Sequence, residues 1–197
     1  MKMLHTKRLV LFLICSFFIS LPQFVATADE VKEESCINEA CFSKTSALLD
    51  TTIELRGSSL YEYFVVDVYA AALYLPKQTS SDTVLSDVPK KLVLHYFRDL
   101  KKGDFIESGE FLMKKDPTFI KEKLNTSLET LYSLLEDVKS GDRYTLTYIP
   151  GTGTELKLND TVKSVIQGEE FAKRYFGIWL SDKYSVDEAF TKRLLGL

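Results

Sequence analysis

Between Tyr61 and Leu75 the chain places β-branched, aromatic and alanine residues on both alternating faces, with Asp67 set inside the apolar run. A segment apolar on both faces cannot lie at a wet surface, so it predicts one long strand buried on both sides. The run Ala70-Ala71-Ala72 suits a helix, but Val65-Val66 and Val68-Tyr69 beside it favour extended backbone. The fold is therefore organised around a sheet. Asp67 is costly in such a strand unless paired or solvated, and it marks either a site edge or an open sheet face.

The rest of the pattern supplies partners for that strand. Ile53 and Leu55 alternate with polar residues, which predicts a strand ending in a turn at Gly57-Ser58-Ser59. A third strand is expected over Lys91–Arg98, then a helix over Gly103–Lys115. Asp116-Pro117 opens a longer helix, because Asp caps free amides and Pro suits the first helical position. Ile120, Leu124, Leu128, Leu131, Leu135 and Val138 recur at helical spacing as one stripe that must lie on the sheet, and Ser140-Gly141 stops it. Arg143–Ile149, Thr154–Leu158 and Thr161–Ile166 read as a meander turning at Pro150-Gly151-Thr152-Gly153 and Asn159-Asp160. Glu169–Phe176 is a short helix ended by Gly177, and Ser185-Val186-Asp187-Glu188 is a capping box that starts the last one. The fold class is α+β: an antiparallel sheet with a layer of helices on one face, an open-faced sandwich.

The N-terminus reads differently. Lys2, Lys7 and Arg8 precede an apolar run from Leu9 to Leu21, followed by Pro22 and Ala26-Thr27-Ala28. This is the order of an export signal, so residues 1–28 are expected to be cleaved and the product to be periplasmic or secreted. The run is too short to cross a hydrocarbon core of ~30 Å, and no other stretch approaches the ~20 apolar residues a span needs. No transmembrane span is expected after cleavage. Ile14, where a small residue belongs, argues against lipidation of Cys15. Residues 29–45 are charged and unpatterned and read as a linker, leaving 46–197 as one domain. Cys36 and Cys41 sit where a disulfide can persist. They form either a small closed loop or two free thiols.

Chemistry is bounded mainly by absences. The precursor carries 25 basic and 28 acidic residues, and the signal removes three basic ones, so a mildly acidic surface argues against nucleic acid as a partner. After the signal only His95 remains as a histidine, which disfavours a Cys/His zinc site; no metal and no cofactor is implied. Gly57-Ser58-Ser59 lacks the second glycine of a nucleophile elbow, and Gly151-Thr152-Gly153 reads as a hairpin turn rather than a phosphate cradle. His95 and Arg98 are spaced to point to opposite faces of a strand, so they do not form one catalytic unit.

Four segments in order carry a resemblance: Val68-Tyr69-Ala70-Ala71-Ala72-Leu73-Tyr74-Leu75-Pro76, Leu94-His95-Tyr96-Phe97-Arg98-Asp99, Tyr148-Ile149-Pro150-Gly151-Thr152-Gly153-Thr154 and Phe176-Gly177-Ile178-Trp179-Leu180. Together they resemble the chalcone isomerase-like proteins exported by Gram-negative bacteria, over about Thr51 to Leu197. The resemblance implies an antiparallel sheet, a helical layer and an apolar cleft between them. Plant enzymes of that family close a flavanone ring and related members bind fatty acids, both with an arginine in a glycine-rich turn. Here Tyr61 falls where that arginine is expected, Tyr69 on the catalytic threonine, and Phe105 near the catalytic tyrosine. A tyrosine hydroxyl cannot reproduce a forked guanidinium, and Phe105 has no hydroxyl to offer. Arg56 takes the arginine's part if the turn is shifted.

The expected function is that of a non-catalytic domain holding a small apolar ligand, such as a fatty acid, in the cleft through Arg56, Tyr61, Tyr69 and Phe105. A second reading is an isomerase or intramolecular lyase on another substrate, using Tyr61, Tyr69, His95 or Arg98. A third is an envelope interaction protein without a pocket function.

Overall fold

A computed structural model describes residues 33–197, and the export signal expected over 1–28 lies outside the described residues. Its centre is a seven-stranded antiparallel meander in which every strand pairs with its neighbours in sequence. These are β3 (Thr45–Leu48), β4 (Thr51–Tyr63), β5 (Val66–Leu75), β6 (Lys90–Tyr96), β7 (Arg143–Ile149), β8 (Gly153–Leu158) and β9 (Thr161–Ile166). The strands from β6 onwards follow the alternation read from the sequence.

The front of the sheet differs from expectation. No turn forms at Gly57-Ser58-Ser59: β4 runs through them with an irregularity between Leu55 and Gly57, and the chain reverses at Phe64-Val65 instead. The single strand expected over Tyr61–Leu75 is therefore two, with Tyr61 opposite Tyr69 across the hairpin. Phe64 makes the reversal with φ +57°, a conformation no turn residue announces.

β5 is buried on both faces, as its composition requires. Tyr69, Ala71, Leu73 and Leu75 join the main core under the helices, while Ala70, Ala72 and Tyr74 join a smaller core on the other face. That second core is closed by the described part, 33–45, of the segment 29–45 expected to be a linker. It holds a hairpin, β1 (Glu34–Ile37) and β2 (Ala40–Ser43), with Cys36 and Cys41 directly opposite and bonded as a disulfide. The crosslink fixes the hairpin so that Ala40 and Phe42 lie buried against the sheet. Asp67 points to this side and accepts a hydrogen bond from Asn38 Nδ2 at 2.8 Å.

Four helices cover the main core: α1 (Lys102–Met113), α2 (Asn125–Leu134), α3 (Glu169–Leu180) and α4 (Glu188–Leu195). Asp116 starts no helix; its carboxylate accepts from the Thr118 amide and pairs with Arg174. The long helix expected as far as Val138 is a short 3-10 turn, Lys121–Leu124, leading into α2. Leu135 and Val138 are buried in extended chain, with Val138 bridged to Leu100. Ile120, expected on the buried stripe, is 46% exposed. α2, which carries the helical part of the stripe, lies against β9 of the sheet. α3 continues through Gly177 for another turn, and α4 is capped by Asp187, which accepts from the Phe190 amide at 2.6 Å. No helix of the described residues is long and apolar enough to cross a membrane.

Candidate functional site

Alternation sends Tyr69 of β5, Leu94 and Tyr96 of β6, Tyr144 and Leu146 of β7 and Leu156 of β8 to the face beneath the helices. Above them α1 presents Phe105, Ser108, Gly109 and Leu112, and α3 presents Tyr175, Ile178 and Trp179. Sheet and helices do not meet fully. A cavity of about 600 Å³ remains between them, within the roughly 300–1,000 Å³ usual for small-molecule pockets. Its exposed end is formed by Tyr63, Phe64, Arg98, Asp104 and Ser108.

Tyr61 and Tyr69 stack with ring centroids 5.0 Å apart, because the β4–β5 register puts them side by side. The Trp179 indole N–H donates to the Tyr69 hydroxyl at 3.1 Å, tying α3 to the floor. Tyr144 accepts from the Glu136 amide at 2.8 Å. Burial holds the phenols of Tyr69 and Tyr96 far above their usual range, and the crowding of Tyr175, Tyr69 and Tyr144 around Tyr96 adds to its shift. Tyr61, Tyr144 and Tyr175 are raised by burial too. Away from the exposed end, where Arg98 and Asp104 lie, the wall is apolar carbon interrupted by neutral hydroxyls. Such groups orient a ligand through hydrogen bonds but do not accept protons as bases at neutral pH.

The cleft brings together Tyr61, Tyr69, Phe105 and Arg98. It does not include Arg56 or His95. The Arg56 guanidinium donates to the Thr79 carbonyl at 2.6 Å. His95 faces the hairpin side, where its Nδ1 accepts from Arg143 Nε at 3.1 Å. Burial first and the Arg143 charge second push the His95 pKa down. Tyr96 and Trp179 belong to the segments that carry the resemblance, but neither they nor Tyr144 and Tyr175 are among the site residues expected from the sequence. The spacing of Tyr175 and Trp179 by one helical turn was the available signal. Glu34 lies beside Cys36 and Cys41, but the two sulfurs are bonded to each other and offer no thiolate to a metal.

A family model described as chalcone isomerase-like matches residues 35–196. The chain belongs to the chalcone isomerase-like family. A crystal structure of a fatty-acid binding protein of Arabidopsis thaliana shares the fold with a TM-score of 0.65, at 14% identity over 83% of this chain and 96% of that one. Among curated protein sequences none matches. In this chalcone isomerase-like chain Tyr61, Tyr69 and Phe105 all line one cleft.

Proposed function

We propose that the chain is an exported, non-catalytic chalcone isomerase-like protein that holds a small apolar ligand, such as a fatty acid, between sheet and helices. The observation that carries this reading is the 600 Å³ cleft, walled by carbon and by phenols that burial keeps neutral. Ring closure needs preorganised donors aimed at a developing oxyanion, and losing one such donor typically costs about a hundredfold or more. Phe105 supplies none, whereas apolar binding survives its presence. The likeness in fold to a fatty-acid binding protein supports the same reading. Export rests on the order of charged, apolar and small residues in 1–28.

One preparation tests both parts. Protein isolated from the envelope or medium of its source cells should have Asp29 at its N-terminus and release an apolar small molecule on solvent extraction, read by mass spectrometry. An intact Met1 rejects export with cleavage after Ala28, and an empty extract from folded protein counts against a resident ligand.

A further inference from the structure

The β4–β5 hairpin ends in three consecutive exposed apolar residues: Tyr63 is 62%, Phe64 85% and Val65 92% exposed. Single apolar side chains on a surface need no explanation, but three at a projecting turn make a patch. Phe64 holds φ +57°, where a bulky residue is disfavoured and glycine or asparagine would be at ease. Its ring and that of Tyr63 stand nearly perpendicular with centroids 4.7 Å apart, and Phe64 belongs to neither hydrophobic core. The fold thus holds an aromatic side chain outwards in a backbone state that no contact with the core offsets.

The patch is continuous with the cleft, since Tyr63 and Phe64 also line its exposed end. Arg98 lines that same end, is itself exposed, and forms no ion pair with another described residue. Asp104, the acid of the same wall, accepts from the Lys101 amide at the start of α1. Asp67 is turned the other way, onto Asn38. Aromatic rings beside an unpaired guanidinium match a boundary where acyl chains meet phosphate: the rings settle at the apolar edge, and the fork of Arg98 meets the headgroup oxygens.

We propose that the open end of the cleft docks on a lipid surface, with Tyr63, Phe64 and Val65 entering the acyl boundary and Arg98 pairing with headgroup phosphate. The inference extends the reading of the cleft as an apolar-ligand site, giving its ligand a route that avoids water. Val65 does not line the cleft, which makes the two separable.

The test is sedimentation of residues 29–197 with vesicles of phosphatidylcholine, alone or mixed with phosphatidylglycerol. The protein should co-sediment, more so with the anionic mixture. Val65→Asp should weaken association by about tenfold or more, the equivalent of one valine side chain kept in water. Arg98→Gln should remove the preference for the anionic vesicles. Both variants should keep the wild-type urea midpoint, and Val65→Asp should still bind a long-chain fatty acid added below its micelle concentration. Equal sedimentation of wild type and Val65→Asp, or none with either vesicle, overturns the proposal. So does a dimer in light scattering that Val65→Asp dissociates, which would assign the tip to a second copy. An empty cleft with tip-dependent sedimentation intact rejects the ligand reading alone and supports the docking surface.

Discussion

Gly57 lies where the end of α4 crosses β4, and the crossing explains a glycine that the sequence suggested was a turn. A β-carbon there would stand 2.1 Å from the Arg193 carbonyl oxygen and 2.8 Å from that of Leu194. Both obstacles are backbone, so relief requires helix and strand to separate. Gly57→Ala should cost about 3 kcal/mol or more, at or above the upper end of overpacking penalties, read from the urea midpoint. A change within about 0.5 kcal/mol would show that α4 yields freely. Lys90 makes a second argument at this scale. It is 1% exposed, donates to the Ser86 carbonyl at 2.9 Å and lies 4.5 Å from the centre of the Tyr148 ring. Burial, against the opposing pull of Asp87 and Glu169, lowers its pKa from 10.5 to about 8. Between these values the unfolded chain binds the extra proton, so stability rises with pH from about 8. Above about 10 the unfolded tyrosines ionise while Tyr69, Tyr96 and Tyr175 stay protonated in the fold, so stability falls again. Urea midpoints across this range should climb and then drop in wild type. Lys90→Met should have a shallower climb, keeping only what Lys91, also lowered by burial, contributes, and should keep the drop; identical profiles would contradict this account of Lys90.

Elements were legible where one period ran unbroken. β6 to β9 and α1 follow from alternation and helical spacing because each is bounded by turn or capping residues. The reversal at Phe64-Val65 was not legible, since neither residue is a turn former and the apolar run continues across it. α2 was read too long because Leu135 and Val138 keep the stripe's spacing while lying in extended chain, held by the Leu100 bridge. Burial set that spacing there, not helix. The β1–β2 hairpin is not legible in the sequence because its few apolar residues, Ile37, Ala40 and Phe42, are set among charged and polar ones. Leu128 tests the part of the stripe that is helical: it is fully buried in α2, and Leu128→Ala should cost about 2–5 kcal/mol in urea denaturation. A loss within about 0.5 kcal/mol would place that face in solvent.

For the whole molecule, the resemblance pointed to the layered fold and the cleft, and to Tyr61, Tyr69 and Phe105 as positions of interest. Position along the chain could not show that Arg56 is tied to Thr79, or that His95 is turned to the hairpin side. Those depend on the irregularity in β4 and on which face β6 gives to the second core. Nor could it show Tyr96, Tyr144 and Tyr175 converging from three elements to leave a cavity rather than a filled core.

The cleft also carries its own reporter. Trp179 is the chain's single tryptophan and lines the cavity, so an occupant should change its emission. Gly109 of α1 lines the same space, and a β-carbon there would meet only Ile178 Cδ1, at 3.9 Å. Gly109→Leu should therefore narrow the cleft while suiting the helix better than glycine does. Titrating a saturated long-chain fatty acid, below its micelle concentration, into delipidated protein should give a saturable Trp179 shift at one ligand per chain in wild type and a weaker-binding one in Gly109→Leu. No shift in wild type, or an identical titration in the narrowed variant, would contradict the claim that the cleft holds an apolar ligand.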